Sequence, residues 1–471
     1  MNSKHSYLAK NVLLFSINGF VPKILSIILI PLYTNYLTPE EYGISDLIVV
    51  TVSLLIPIFT IDIQDAVMRF ALDKKYDKKD VFSVAVQIIV GGTVLVCIGT
   101  FVVSFLHIPG VENKFLFFVD MMYFISAISN TISLFCRGID KVDAMVIGSI
   151  MNSVVTLSTN ILFLAIFNWG VTGYLLANML GNFVMLVWCF MRVNLYQYLK
   201  LNTHKNVRTD MVQFSFPLMF SVIAWWINNA SDRYVLTWMS GVKMSGLYAI
   251  SYKIPNFLSM FQNIFTQAWS ISAIKEFDKT DSDGFISGMY NMMNFAMTII
   301  CSGIMIMNIP ISKILYSKEF FLAWKYVPPL LISVVFNSMA LFLGSIFTAI
   351  KDTKTLSFST IIGAVINTVC NILLIFFIDA YGAALATMIG YVVVFAIRHI
   401  KLRKYVWLNI NWRRDIMAYT MLVIQIIVAA AGMKIIIFQI IIFIIIVILF
   451  KTEFFILMKL VGKILLKHYS K

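Results

Sequence analysis

The sequence is poor in charge. Its 471 residues include 37 Lys and Arg and 23 Asp and Glu, 13% of the chain, where soluble globular proteins carry about 25%. That deficit excludes an ordinary water-soluble enzyme. Cysteine is scarce and scattered. Cys97, Cys136, Cys189, Cys301 and Cys370 share no short spacing; four lie in apolar runs and Cys136 ends one. Neither a metal site nor a disulfide framework is supported. The chain has no Gly-x4-Gly-Lys-Ser/Thr loop, no His-Glu-x-x-His and no Gly-x-Ser-x-Gly elbow, so the P-loop, zincin and serine-hydrolase signatures are all missing. Its basic residues fall in short separate segments, so nucleic acid is not an expected partner. The first apolar run is too long for a signal peptide, and no small-residue cleavage site follows it.

What is abundant is hydrocarbon: 60% of residues are hydrophobic and mean hydropathy is +0.87. A membrane span consumes about 20 residues. Apolar runs fall at 11–33, 43–68, 81–106, 115–135, 144–167, 171–191, 211–238, 245–272, 287–309, 326–350, 357–378, 381–397, 416–432 and 435–450. The expected fold is an all-α polytopic membrane protein of about fourteen transmembrane helices. The joint 429–434 is read as a hairpin turn, since a single 35-residue helix would overshoot a bilayer.

Charge position orients this map. With the N-terminus in the cytoplasm, 28 Lys and Arg fall on inside segments, 6 on outside segments, and Lys23, Arg233 and Lys253 within spans. The imbalance places both termini in the cytoplasm. Beyond 452, Lys459, Lys463 and Lys467 recur four apart beside Phe455, Met458, Leu465 and Leu466, the pattern of a basic amphipathic helix on anionic lipid.

An internal repeat is legible. Asn160-Ile161-Leu162 followed by Gly173-x-x-Leu176-Ala177-x-Met179-x-Gly181 recurs as Asn371-Ile372-Leu373 and Gly382-x-x-Leu385-Ala386-x-Met388-x-Gly390. A weaker echo joins Glu41-Tyr42-Gly43-Ile44-Ser45 to Met244-Ser245-Gly246-Leu247-Tyr248. The pairs are separated by six spans, an even number, so two parallel six-helix repeats are expected, plus two C-terminal helices. The boundaries are 1–198 and 199–405 for the bundles, 406–451 for the additional helix pair and 452–471 for the tail. Small residues three and four apart also serve helix packing, which accounts for part of the match.

Twofold-repeated bundles commonly hold substrate between the halves. Charges within spans are costly and normally face a cavity. Lys23 shares a face with Ser16, Gly19 and Ser26; the seventh run carries Asn228, Asn229, Asp232 and Arg233; the eighth carries Tyr248, Tyr252, Lys253, Asn256, Ser259 and Asn263. The expected site is a cationic cavity, with Lys23, Arg233 and Lys253 on phosphate. Asn228, Asn229, Tyr252, Asn256, Asn291 and Asn294 would satisfy sugar hydroxyls. Arg233 pairing with Asp232, and Lys253 snorkelling outward, are the structural alternatives. Asp62, Asp65, Arg69 and Asp232 are gating or ion-coupling candidates, although Asp65 and Arg69, four apart, read first as a structural pair. Asn152, Thr156 and Asn160, like Asn367 and Asn371, read as interhelical hydrogen-bonding groups.

The segments LLFSINGFVPKILSIILIPLYTNYLTPEEYGISDLI and FSFPLMFSVIAWWINNASDRYVL resemble bacterial polysaccharide-biosynthesis exporters, lipid-linked oligosaccharide flippases of the multidrug/oligosaccharidyl-lipid/polysaccharide superfamily. Pro31-Leu32-Tyr33-x-x-Tyr36-Leu37, Glu41-Tyr42-Gly43, Arg69-Phe70 and Ser231-Asp232-Arg233-Tyr234 carry the likeness. The resemblance implies a transporter of the bacterial cytoplasmic membrane, with no cofactor. It would turn an undecaprenyl-diphosphate-linked oligosaccharide from the inner to the outer leaflet by alternating access. Coupling to a proton or sodium gradient, contact with membrane lipids and contact with other glycan-assembly proteins come with it. Two alternatives stand beside this one. A multidrug cation exporter of the same superfamily often carries an acid in its first helix, where this chain has Lys23. A membrane glycosyltransferase or polymerase generally needs acids on large external loops, whereas Glu40, Glu41 and Glu112 lie on short ones.

Overall fold

A computed structural model describes residues 22–106, 112–275, 278, 280–350, 352–430 and 436–459. No strand occurs among them. The helices are α1 (22–36), α2 (Pro39–Thr60), α3 (Ile63–Leu72), α4 (Lys78–Phe105), α5 (Asn113–Gly138), α6 (Val142–Asn160), α7 (Gly170–Val193), α8 (Lys205–Ser240), α9 (Val242–Ser251), α10 (Pro255–Lys275), α11 (Phe285–Leu315), α12 (Val327–Ala349), α13 (Thr353–Leu402), α14 (Trp412–Ala430), α15 (Ile436–Leu449) and α16 (Lys451–Lys459). Among the described residues, nine helices are long and apolar enough to cross a membrane, or ten if the α15–α16 pair, bent by 76°, counts as one span.

The nine include α13, whose 50 residues hold a break at Ile378 and Asp379 (φ 46°, ψ −135°). The chain folds back there. Gly363 faces Val394, Gly390 faces Asn367, and Gly382 lies against the Leu374 backbone. The 357–378 and 381–397 runs are therefore two arms of one hairpin. Helices α6 and α7 form another: Gly181 lies against Thr156 and Asn152, and Gly173 against Phe163. The contacts correspond at the sequence offsets of 211 and 209: Thr156 matches Asn367, Phe163 matches Leu374, Gly173 matches Gly382 and Gly181 matches Gly390. The sequence repeat is thus one hairpin built twice. Glycine is required where a Cβ would sit 2.0 Å from Thr156 Oγ1 or 2.4 Å from the Leu374 carbonyl.

The chain divides into two compact units, Met1–Ala230 and Ser231–Lys471. The division falls inside α8 and not at 198/199. The N-terminal part of α8 packs with the first unit: Trp226 Nε1 donates to Val50 O at 3.2 Å and to Ser53 Oγ at 3.0 Å, and Trp226 and Ala230 form a buried cluster with Val50. In the same unit Thr38 and Glu41 form a reciprocal N-terminal cap on α2, with Glu41 N to Thr38 Oγ1 at 3.2 Å and Thr38 N to Glu41 Oε2 at 2.8 Å. Tyr33 stands edge-on to Tyr174 at 4.9 Å and tilted to Tyr42 at 6.1 Å. The first-helix motif is therefore helix capping and ring packing.

In the second unit one arginine ties α11, α14 and α16 together. Arg414 donates through Nη2 to Asn291 Oδ1 and Asp415 Oδ1, at 2.7 and 2.8 Å, and through Nη1 to Glu453. Its guanidinium lies 4.5 Å from the Phe450 ring centroid. Tyr419 OH donates to Asn294 Oδ1 at 2.9 Å. The expected hairpin turn at 429–434 lies mostly outside the described residues, as does the tail from 460. α16 exposes Phe454, Phe455, Ile456, Leu457 and Met458 while burying Glu453.

Candidate functional site

Asp232 is the best-connected acid within the apolar helices. It lies on α8, fully buried, one turn after Asn228. Oδ2 accepts from Tyr248 OH at 2.8 Å and Thr387 Oγ1 at 2.5 Å; Oδ1 accepts from Asn371 Nδ2 at 2.8 Å. The Asn367 amide comes within 3.1 Å of Oδ1. Tyr248 OH also lies 3.0 Å from Tyr252 OH and 3.2 Å from Thr387 Oγ1. Three segments converge: α8 supplies the acid, α9 and the turn after it the phenols, and both arms of the α13 hairpin the amides and hydroxyl. Every donor that the carboxylate uses here is neutral. A bare carboxylate at such a place is costly, so a charge-neutral but polar cradle is the minimum that keeps it there. Two carboxylate oxygens offer about four acceptor sites, and these four neighbours can fill them, so a proton or a small cation would have to displace one.

Arg233 is the next residue of α8, turned by one helical step. Its guanidinium lies over the Tyr252 ring, 5.0 Å from the centroid, a cation–π arrangement. Tyr252 thus joins the two charges, hydroxyl toward the acid's cluster and ring under the guanidinium. This side chain is in place because α9 ends at Ser251 and turns through Tyr252, Lys253 and Ile254 before Pro255 starts α10. Proline at a first helical position loses no hydrogen bond. Lys253 sits in that break, half-buried.

The other expected residues are dispersed. Lys23 is half-buried near the start of the described part of α1, and no ion pair among the described residues involves it. Ser16 and Gly19, its expected face-mates, lie outside the described residues; Ser26 Oγ donates to Lys23 O at 2.7 Å. Asn228 is buried, Asn229 bonds back to Trp225 O at 2.7 Å, and Asn256 is exposed. Asn291 and Asn294 are taken up by Arg414 and Tyr419, so their amides fasten α11 to α14.

Asp62 and Asp65 flank a break in the second helix, where Ile61 and Asp62 both hold positive φ (54° and 50°). Asp62 is buried, accepts from Gln64 Nε2 at 3.2 Å, and leaves Oδ2 without a partner among the described residues. The Asp65–Arg69 pair does not form. Both side chains are exposed, where an ion pair would contribute little. Sequence reasoning missed Thr387 altogether and gave Asn367 and Asn371 only a packing role. Among the described residues, no three His, Cys, Asp or Glu side chains stand close enough to hold a metal ion.

The description "Polysaccharide biosynthesis protein" belongs to the family profile that matches residues 8–272. The chain is a member of the polysaccharide biosynthesis protein family. Among curated proteins, none matches it in sequence. Among solved structures it is similar to "Lipid II flippase MurJ, inward closed conformation", with 15% identity, a TM-score of 0.68, and coverage of 94% of this chain and 99% of that one. It also resembles an inward-facing "multidrug resistance MATE family transporter of the MOP superfamily", with 12% identity, a TM-score of 0.60, and coverage of 83% and 98%. A third is a MOP superfamily transporter from Pyrococcus furiosus, at 13% identity, a TM-score of 0.53, and coverage of 84% and 96%. At these identities the likeness is one of fold. This member of the polysaccharide biosynthesis family is a multi-pass integral membrane protein with the MurJ/MATE fold, and the proteins it matches are transporters, not enzymes.

Proposed function

We propose that the chain flips a diphosphate-linked oligosaccharide lipid from the inner to the outer leaflet of the bacterial cytoplasmic membrane by alternating access. Family membership supports the glycan-lipid class. The observation that carries the mechanism is the pairing, on consecutive residues of α8, of a guanidinium laid on Tyr252 and a carboxylate held only by neutral donors. Arg233, with Lys253 beside the same break, supplies charge for a diphosphate. Lys23 contributes positive charge along α1. Asp232 is the coupling group. When it takes up a proton or sodium ion, the bonds from Tyr248, Thr387 and Asn371 must rearrange, and that links ion occupancy to the positions of α8, α9 and the α13 hairpin. In this reading the chain crosses the membrane fourteen times as two parallel six-helix bundles plus a helix pair, with both termini in the cytoplasm. A cation exporter is disfavoured by three intramembrane cations, which repel a cationic cargo and attract an anionic one.

The test is deletion followed by complementation. Cells lacking the chain accumulate a lipid-linked glycan on the inner leaflet, and the parent and Lys23→Arg proteins relieve the accumulation. Lys23→Met, of similar length but uncharged, does not, although its thermal stability equals the parent's. Full relief by Lys23→Met removes the charge argument; accumulation of no lipid-linked glycan removes the substrate class. Orientation is read separately. In a cysteine-free background, an impermeant thiol reagent applied outside labels Ser317→Cys and leaves Asp77→Cys unlabelled, and the opposite pattern inverts the topology.

A further inference from the structure

The connection between α13 and α14 lines a half-open cavity of about 470 Å³, within the size range of small-ligand sites. It is separate from the Asp232 cluster. Its lining includes His399, Arg403, Val406, Trp407, Leu408 and Trp412. Three observations mark it as a built site. First, His399 is 6% exposed, lines the cavity, and finds no hydrogen-bond partner for Nδ1 or Nε2 among the described residues. Buried polar groups are normally satisfied, so a buried imidazole with two idle nitrogens calls for an absent partner. Second, Trp412 holds two groups at once, with the His399 ring edge-on at 4.2 Å and the Arg403 guanidinium at 5.6 Å. Arg403 belongs to no ion pair among the described residues. Third, the connection is tied down on both sides: Tyr405 OH donates to Asp352 Oδ2 at 3.1 Å and Asn409 N to Ser287 Oγ at 2.8 Å.

The surroundings specify the ligand. Residues 401–414 carry Lys401, Arg403, Lys404, Arg413 and Arg414 and no acid. Asp415, the next residue, is already engaged by Arg414. The site joins the ends of two apolar helices and presents Trp407, 81% exposed, as interfacial tryptophans are presented at a bilayer edge. We propose that this cavity holds the phosphate of an anionic phospholipid of the inner leaflet. Arg403 and an N–H of His399 donate to the phosphate, and the acyl chains leave past Trp407 and Leu408. No acid lines the cavity to receive the ammonium of a zwitterionic headgroup, which favours an anionic one. The leaflet assignment rests on the orientation proposed above; the headgroup chemistry does not.

The test uses the full chain in detergent and native mass spectrometry with dioleoyl phosphatidylglycerol, dioleoyl phosphatidylcholine of the same chains, and inorganic phosphate. The parent retains phosphatidylglycerol about tenfold better than phosphatidylcholine, and Arg403→Gln and His399→Phe each lower that preference by about tenfold, the effect of losing one charge-assisted contact. Lys200→Gln, a basic residue of the other unit, keeps the parent ratio. Because Arg403 is exposed, its variant carries the test even if His399→Phe fails to fold. Equal retention of the two lipids, or a parent-like ratio in Arg403→Gln, overturns the site. Displacement of phosphatidylglycerol by an equal concentration of inorganic phosphate overturns the lipid and leaves a free-anion site. None of these outcomes depends on transport, so the flippase reading stands or falls apart from them.

Discussion

The α6–α7 hairpin and the α13 hairpin are the same piece of architecture put to different use. In both, small residues let two helices touch at matching positions, and in both an asparagine stands at the same step. Asn160 of the first turns inward on its own helix, donating to Thr156 O at 2.7 Å and leaving Oδ1 unpartnered among the described residues. Asn371 of the second donates to Asp232 at 2.8 Å. Asn178, which matches Thr387, bonds among the described residues only to its own helix at Tyr174 O, 2.8 Å away, whereas Thr387 grips the acid. At the 203-residue offset of the weaker echo, Asp232 corresponds to the buried Leu29. Duplication thus supplied a scaffold of polar positions, and one acid turned the second copy into a charged centre.

The sharpest way to break this comparison is to remove the acid and its partners. Asp232→Asn keeps the side chain's shape and should lower transport by at least about tenfold, a loss of about 1.4 kcal/mol or more at the limiting step. Asn371→Leu should follow it, while the mirror change Asn160→Leu should stay within about threefold, since its one bond among the described residues runs back to its own helix and not to an acid. Equal losses from Asn160→Leu and Asn371→Leu, measured as glycan-lipid export at matched expression, would mean that both hairpins serve packing alone.

A smaller effect separates the matching glycines. A Cβ on Gly382 would meet the Leu374 backbone at 2.4 Å, but on Gly173 the nearest atoms, Phe163 Cβ and Trp169 Cβ, stand at 3.0 and 3.1 Å. The closer approach demands the larger shift. Gly382→Ala should cost about 1–3 kcal/mol of stability and Gly173→Ala clearly less, read as thermal aggregation of the purified variants by gel filtration. The reverse order would show that the second turn is the looser one.

The smallest expected effects lie in the helix caps outside the membrane. Asp77 caps α4 and Asp352 caps α13, and both carboxyls are held below their ordinary value of 3.8. For Asp77 the Lys200 ammonium is the main cause, with Lys79 N second; for Asp352 it is the Thr355 hydroxyl, then its N–H. A depressed carboxylate stabilises above its ordinary value, and that support is lost as pH falls below 3.8 toward the folded value. Asp77→Asn and Asp352→Asn should therefore differ from the parent near neutral pH and converge with it in acid. Added salt should shrink the Asp77 difference more, because an exposed ion pair is screened and a neutral hydrogen bond is not. Thermal shifts across pH at two salt concentrations check this; equal salt responses would contradict it.

Much of the architecture is readable in the chain because hydropathy and small-residue spacing act locally. The fourteen apolar runs each contain helix, and Asn160 and Asn371 mark the repeat. The site is less readable. Thr387 is one small residue among Ala383, Ala384 and Ala386, and reads as packing; the one available signal is its polar counterpart Asn178 at the repeat offset. Asn291 and Asn294 carry the opposite ambiguity. A row of amides suits a sugar and suits Arg414 equally, and only tertiary placement tells them apart. The break at Ile61 and Asp62 escaped because a β-branched residue such as Ile61 rarely holds positive φ, and a lone Asp does not mark a break.

The Arg414 network also has an order in time. A chain inserted from its N-terminus meets Asn291 first, then Arg414 with Asp415, and Glu453 last. In that order each new helix would meet a partner already made: α14 brings Arg414 to Asn291, and α16 brings Glu453 to Arg414. Glu453 is then the last charge of this network, a latch across the helices made before it.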